Sequence, residues 1–401
     1  MTKAYAVIGS AYGDEGKGLF TDYLSNKVDS SIVVRFNGGA QAGHTVTTKT
    51  AKHVFGHFGS NSFTDNATTF LSQFFVINPM SFVKEKQQLE KLGVAPKVVI
   101  SEYAYVTTPY DIMLNHWIEE KRSHNKHGSC GLGFGETIHR NENTQYKLQV
   151  KDLLDKVSLK EKILNIRDSY TKARAKELDI EDYLNNPNNE YAHNDTVVDR
   201  YLSDVEALLE VSSIATTPLP IPDLQQEIIF EGAQGLLLDQ SHGYFPYVTR
   251  SNTGLKNIIE LLEGAEFNEL EVLYATRCYT TRHGAGPLSN KLERAPYEAI
   301  IDPTNIPNIY QGTMKFAYLD LDILEETIKK DIASVTIAKS LKFTYKIAIS
   351  CVDQTEVIKF YDKKELKELC RDDFLKYMKL KFQVPLIISM GPTRYTISEI
   401  N

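Results

Sequence analysis

The stretch Ala4-Tyr5-Ala6-Val7-Ile8-Gly9-Ser10-Ala11-Tyr12-Gly13-Asp14-Glu15-Gly16-Lys17-Gly18 decides the fold. Its opening run, Ala4 to Ile8, is short and apolar and stops at a glycine, the mark of a buried strand. An amphipathic stretch from about Gly16 to Leu24 follows the loop and predicts a helix. Strand, glycine loop and helix in that order put backbone N–H groups and the positive end of a helix where phosphate oxygens can sit. Lys17 adds a full positive charge, and Gly13, Gly16 and Gly18 keep Cβ atoms out of the way of incoming oxygens. The spacing is not that of the Walker A motif. Taken alone, the loop reads equally well as a solvated strand-to-helix turn.

Working outward, a second apolar run, Ser31 to Phe36, leads into Asn37-Gly38-Gly39-Ala40-Gln41-Ala42-Gly43-His44-Thr45. Two strands thus deliver two glycine loops, one carrying the Asp14 carboxylate and the other the His44 imidazole. A carboxylate beside a purine ring nitrogen can take its proton, and a protonated imidazole can stabilise charge on a transferred phosphoryl group. Asp14 and His44 are therefore the expected acid/base pair, with Lys17 as the third catalytic group.

Later runs continue the alternation. Strands are predicted at Lys97 to Ser101, Glu227 to Phe230, Glu271 to Tyr279, Ser334 to Ala338, Tyr345 to Val352 and Pro385 to Ser389, and helices at Ser81 to Leu92, Tyr110 to Lys121 and Lys363 to Lys381. This pattern predicts an α/β fold with a mostly parallel central sheet flanked by helices, like that of P-loop NTPases, forming a single domain over 1–401. The polar stretch from about 142 to 222, asparagine-rich near Asn185 to Asn194, reads as a helical insertion or subdomain.

The 401 residues are 42% hydrophobic and 24% charged, enough for an enzyme-sized core. A net charge of −7 argues against nucleic acid as partner, since such proteins carry a basic surplus. The four cysteines form no CxxC pair, no window approaches a membrane span, and the N-terminal run is too short for a signal peptide, so a cytoplasmic location is expected.

GDEGKG at 13–18 followed by GGAQAGHT at 38–45 resembles the adenylosuccinate synthetase family. FEGAQG at 230–235, Asp239, His242-Gly243, FPYVTRSNT at 245–253, TTRHGAGP at 280–287 (STRVGAGP-like) and SMGPTR at 389–394 resemble that family's later blocks in the same order. The resemblance implies a two-step ligase. A nucleoside triphosphate, GTP or ATP, phosphorylates the 6-oxygen of inosine monophosphate, and the nitrogen of aspartate then displaces the phosphate, with Mg²⁺ on the phosphates. It also implies a homodimer. Carried over by motif, Asp14 removes the purine N1 proton, Asp14 and the Gly43 backbone hold Mg²⁺, and His44 acts on the transferred group. Gly13, Glu15, Gly16, Gly18, Gly43, Thr45, Lys339, Ser389 and Gly391 fall on the nucleotide and phosphate side. Asn37, Gln41, Ser129, Cys130, Gln234, Thr249, Arg282, Thr313 and Lys315 fall on the substrate side.

Three departures bear on specificity. Where the family has TKLD, whose aspartate pairs with guanine, this chain has Ala338-Lys339-Ser340-Leu341, which brings ATP or dATP forward as donor. The arginine-rich amino-acid loop is replaced by Tyr310-Gln311-Gly312-Thr313-Met314-Lys315-Phe316-Ala317-Tyr318, so either another basic residue such as Arg282 or Arg250 compensates or the amine is not aspartate. After GSCGLGFGET the family's paired arginines have only His139 and Arg140 as counterparts. Some phage relatives use deoxyguanylate with the first-loop aspartate replaced; its retention as Asp14 points to a hypoxanthine-type substrate, with dGMP or dIMP as the alternative. A regulator that binds nucleotide without turnover is the competing class, and no GxGxxG opens the first helix to suggest a nicotinamide enzyme.

Overall fold

The computed structural model of the chain describes residues 3–123, 128–186, 189, 192–220, 226–300 and 312–400. In chain order the strands are β1 (Lys3–Gly9), β2 (Ser31–Arg35), β3 (His44–Thr47), β4 (Lys52–Phe55), β5 (Thr68–Leu71), β6 (Lys97–Ser101), β7 (Ser212–Ala215), β8 (Glu227–Glu231), β9 (Glu269–Arg277), β10 (Tyr279–Arg282), β11 (Lys291–Leu292), β12 (Lys315–Asp320), β13 (Lys342–Ser350), β14 (Val357–Asp362), β15 (Glu365–Cys370), β16 (Leu386–Ser389) and β17 (Ile397–Ile400). The helices are α1 (Lys17–Ser25), α2 (Pro79–Lys91), α3 (Pro109–Arg122), α4 (Phe134–Glu142), α5 (Lys156–Asn165), α6 (Thr171–Glu177), α7 (Glu181–Leu184), α8 (Asp195–Val211), α9 (Leu255–Leu262), α10 (Leu321–Ala333) and α11 (Arg371–Phe382).

Ten strands form one sheet in the order β17-β16-β13-β9-β1-β8-β2-β5-β6-β7. Each adjacent pair is parallel except β16 with β17, which closes one edge antiparallel. Parallel strands covered on both faces need apolar side chains on both, and β1 supplies them. Ala4, Ala6 and Ile8 enter the larger core with Ile32, Val34 and Phe230. Val7 faces the other way, against Phe20 and Leu24 of α1. A smaller sheet, β10-β12-β14-β15 with β11 on β12, and the hairpin β3-β4 complete the strands.

The predicted mostly parallel α/β sheet is the observed one, and the early elements fall where the sequence puts them. Three later expectations are corrected. Ser334 caps the end of α10 and the residues to Ala338 form a loop, and the strand begins only at Lys342. Lys363 to Lys381 is not one helix: Lys363 and Lys364 form a turn with positive φ, β15 pairs back on β14, and α11 starts at Arg371. The 142–222 stretch is helical through α5–α8 but ends in β7, which extends the main sheet parallel to β6; residues 221–222 lie outside the described ones. Among the described residues no helix is long and apolar enough to cross a membrane.

Candidate active site

Strands β1, β8 and β2 lie side by side and run in the same direction, so the loops that leave them emerge together at the carboxyl edge of the sheet. In open α/β sheets this edge is where ligands bind. The loops touch closely. A Cβ on Gly38 (φ 74°) would lie 2.5 Å from that of Ala233, and Asn37 locks the two loops by accepting from Ala233 N (2.7 Å) and donating to its carbonyl (3.0 Å). Gln234 takes a left-handed backbone conformation at this junction, with its side-chain oxygen 3.5 Å from the Asn37 amide.

The first loop is organised around a buried carboxylate. Glu15 Oε1 accepts from the backbone N–H groups of Ala11 (3.0 Å) and Gly13 (2.7 Å), while Oε2 accepts from Lys17 Nζ (3.0 Å), which also donates to the Gly13 carbonyl (2.7 Å). Loop donors and the lysine charge thus converge on an acid of the chain itself. Gly16, at φ 87°, forms the N-cap of α1.

Asp14 projects differently. Arg277 donates to its carbonyl oxygen, and His283 Nε2, just past β10, lies 3.2 Å from its Oδ2. Burial pushes the Asp14 carboxyl up, but the adjacent His283 and the charges of Arg277 and Lys17 outweigh it and leave the group below its ordinary value. It is an anion at neutral pH.

His44 is the first residue of β3, and it is buried. A Cβ on Gly18 would stand 2.9 Å from that of His44, so the first turn of α1 packs directly on it. His44 Nδ1 lies 2.7 Å from Glu231 Oε1; Glu231 also accepts from Ser60 N (3.1 Å) and Ser60 Oγ, and Arg35 stands 3.9 Å away. Burial, against the pull of Glu231, holds His44 down at about 4. Burial raises Glu231, but His44, Arg35 and Ser60 bring it to about 2. The imidazole is therefore neutral, donates Nδ1–H to Glu231 and keeps a lone pair on Nε2. Lys17 lowers both Asp14 and His44 by its charge, which ties the two loops to one electrostatic field.

Sequence reasoning passed over Glu231 and His283. The signal for Glu231 was a charged residue ending an apolar strand, where burial without a partner is costly. His283 gave none beyond its place in TTRHGAGP.

The other expected residues are spread around this edge. Gly43 is exposed and Thr45 pairs with Val54. Both polar atoms of the Gln41 amide are shut off from solvent and make no hydrogen bond. Ser129 accepts from Asn115 Nδ2 (2.9 Å) and Gly131 N (3.2 Å), beside exposed Cys130. Thr249 is half-buried and donates its N–H to Leu238. Arg282 is buried over the Tyr12 ring, and it donates to the carbonyls of Tyr247, Ala285 and Pro287. Arg250 pairs with Glu142 on the surface. Lys315 Nζ donates to the Gly286 carbonyl (3.0 Å), and Thr313 is exposed; Tyr310 and Gln311 lie outside the described residues. Lys339 is exposed in a turn, and buried Ser389 donates to the Gly391 carbonyl. Arg140 is fully buried and forks onto both oxygens of Asp111 (2.9 and 2.8 Å), a structural commitment that removes it from phosphate binding.

The profile of the family described as adenylosuccinate synthetase matches residues 6–340. The adenylosuccinate synthetase of Trichormus variabilis is 34% identical over 310 residues, 74% of this chain and 64% of that protein. That of Lactobacillus acidophilus is 34% identical over 296 residues, 72% of this chain and 65% of the relative. The chain thus spans just under two thirds of the length of these relatives. Among solved structures, a fully ligated adenylosuccinate synthetase from Plasmodium falciparum superposes with a TM-score of 0.72 at 20% identity, covering 98% of this chain and 99% of the other. A cyanophage S-2L succinoaminodeoxyadenylate synthetase, bound to dGMP and to dATP as energy donor, gives 0.61 at 14%, covering 99% and 95%. At these identities the structural likeness is one of fold.

Proposed function

The chain belongs to the adenylosuccinate synthetase family, and from that premise we propose that it is a nucleoside-triphosphate-dependent ligase acting on the 6-oxygen of a purine monophosphate, inosine monophosphate or a close analogue. The observation that carries the reading is the convergence of three loops, after β1, β2 and β8, bearing an ionised Asp14 and a His44 oriented by Glu231.

In the first step the N1 proton of the purine passes to the Asp14 carboxylate, and the electron pair left behind builds charge on the 6-oxygen. That oxygen attacks the γ-phosphorus, and the nucleoside diphosphate leaves. In the second step the amine attacks C6, the C6–O bond breaks, phosphate departs with the bonding pair, and the attacking nitrogen and Asp14 release their protons to solvent. His44 serves the transferred group through Nε2, which takes up a proton from solvent as the anionic phosphate arrives; Glu231 sustains the imidazolium so formed.

Mg²⁺ fits the donors available. Hard oxygens suit it, and it is commonly held by one or two carboxylates plus substrate phosphates rather than by an all-protein cage. Among the described residues no cluster of three or more His, Cys, Asp or Glu forms such a cage; the half-buried Asp14 and the exposed Gly43 would supply a carboxylate and a carbonyl oxygen to the ion. The ion would neutralise phosphate charge during transfer.

The donor base and the amine belong to the same proposal. Ala338 to Leu341 offers an exposed turn with no carboxylate for the guanine edge, which favours ATP or dATP over GTP. With Arg282 held by backbone carbonyls, Lys315 is the cation that the amino-acid loop itself carries, which supports an amine other than aspartate as a second reading. A homodimer and a cytoplasmic setting complete the proposal. The experiment is a panel of inosine, guanosine and deoxy monophosphates with aspartate or other amino acids, Mg²⁺ and GTP or ATP, followed by the ultraviolet change of a 6-amino-substituted purine and by phosphate release. Turnover that disappears in Asp14→Ala is expected; triphosphate binding without any turnover would leave only the regulator.

A further inference from the structure

Two side chains at the ends of neighbouring strands hold two consecutive carbonyls of the first loop. β9 and β13 are parallel, and Arg277 and Ser350 are the last pair of their shared ladder. Arg277 donates to the carbonyl of Asp14, and Ser350 Oγ donates to the carbonyl of Glu15 at 3.0 Å. Both holders are themselves fixed. Ser350 is buried against Gly16, where an added Cβ would stand 3.4 Å from its Cβ and its Oγ. Arg277 also donates to the Tyr279 hydroxyl oxygen (3.3 Å), and that hydroxyl donates to Gln354 Oε1 (2.8 Å).

We infer that Arg277 and Ser350 are positioning residues, a clamp that turns the Asp14–Glu15 and Glu15–Gly16 peptides so that their N–H groups face the triphosphate. The inference rests on the reading that the first loop receives the phosphates. A planar trans peptide points its N–H opposite to its C=O. With both carbonyls aimed at one pair of side chains, the N–H groups of Glu15 and Gly16 turn away from that pair together. Successive N–H groups on one side form an anion-binding concavity, continuous here with the first turn of α1. Other donors of the loop serve the chain itself: Ala11 and Gly13 donate N–H to Glu15 Oε1, and Lys17 Nζ donates to Glu15 Oε2 and the Gly13 carbonyl. What the loop offers to phosphate is thus set by how its two carbonyls are held. The clamp acts through backbone, so the Asp14 carboxylate keeps its own role.

The test compares Ser350→Ala and Arg277→Met, which remove the donors, with Arg277→Lys, which keeps a donor and the charge. For each protein, calorimetric Kd is measured for GTP and ATP with Mg²⁺ and for inosine and guanosine monophosphates, with kcat and KM alongside. Ser350→Ala is expected to weaken the better triphosphate about fivefold or more and Arg277→Met about tenfold or more, the scale of one lost hydrogen bond. Arg277→Lys is expected to stay within about threefold of wild type, and the monophosphate Kd to move less than about twofold in every variant. Ser350→Ala loses one oxygen and no charge, so it decides the matter should Arg277→Met fail to fold. A general structural defect weakens both kinds of nucleotide together. That result, or an unchanged triphosphate Kd in Ser350→Ala, overturns the inference. A wild type that binds neither triphosphate overturns the ligase reading instead. Hydrogen exchange at the Ala11 and Gly13 amides then decides the clamp: faster exchange in Ser350→Ala upholds its grip on the loop, and unchanged exchange refutes it.

Discussion

His44 and Glu231 show how much one buried pair carries. Glu231 collects His44, two donors from Ser60 and the charge of Arg35, all inside the protein. Removing one partner of such a set leaves the other charge stranded, at a cost of about 3–5 kcal/mol. Glu231→Gln is therefore expected to lower the urea midpoint. It is also expected to lower kcat by about a hundredfold, the scale of a lost general acid/base contribution, with little change in KM for the triphosphate. A folded variant with wild-type kcat would remove Glu231 from the mechanism. The loop positions themselves were legible in the sequence, because glycine runs after apolar strands mark where backbone meets ligand. Their partners were not. Glu231 is 187 residues from His44, and no local pattern announces which side chains a parallel sheet will bring to one edge.

At the scale of elements, the β3-β4 hairpin is strapped to α2 by Glu85. Its carboxylate accepts from Gly56 N (2.9 Å) and His57 N (2.7 Å), with His53 at 3.6 Å and His57 Nδ1 at 3.5 Å. Burial raises the Glu85 carboxyl, but the adjacent His53 and His57 rings and the His57 backbone N–H win and bring it to about 2, below the usual 4.5. A carboxyl depressed on folding stabilises above its unfolded value and loses that contribution as pH falls through the folded one. The hairpin should thus weaken between pH 4.5 and 2, by about 3 kcal/mol in all. Urea midpoints of wild type and Glu85→Gln across that range are expected to draw together as pH falls; parallel curves would deny Glu85 the role. The strands of the central sheet were readable because burial on both faces demands continuous apolar runs. The β14-β15 hairpin was not. In Glu365-Leu366-Lys367-Glu368-Leu369-Cys370 the leucines fall three apart, a helical spacing, and two lysines hold the left-handed turn where glycine or asparagine would have signalled it.

Across the whole molecule, two large cores meet at one edge of the sheet. Leu71 of β5 with Val98 and Ile100 of β6 belong to the core of the helical layer, where they join Tyr110, Leu114 and Trp117 of α3 and Val198, Tyr201, Val205 and Leu208 of α8. The same β5 pairs with β2, which carries the loop that ends at His44, and β7 brings the helical layer back as a strand of that sheet. The two halves therefore share backbone ladders as well as side chains, and neither can lose its core without exposing the other's. Trp117, the only tryptophan of the chain, is buried in the helical layer and stacked near Tyr183. Its fluorescence, excited at the red edge to bypass the 22 tyrosines, reports that layer alone. In urea the Trp117 transition and the far-ultraviolet circular dichroism transition are expected to coincide, as a shared cooperative unit requires. A fluorescence midpoint well below the dichroism midpoint would mean that the helical layer melts off an intact sheet.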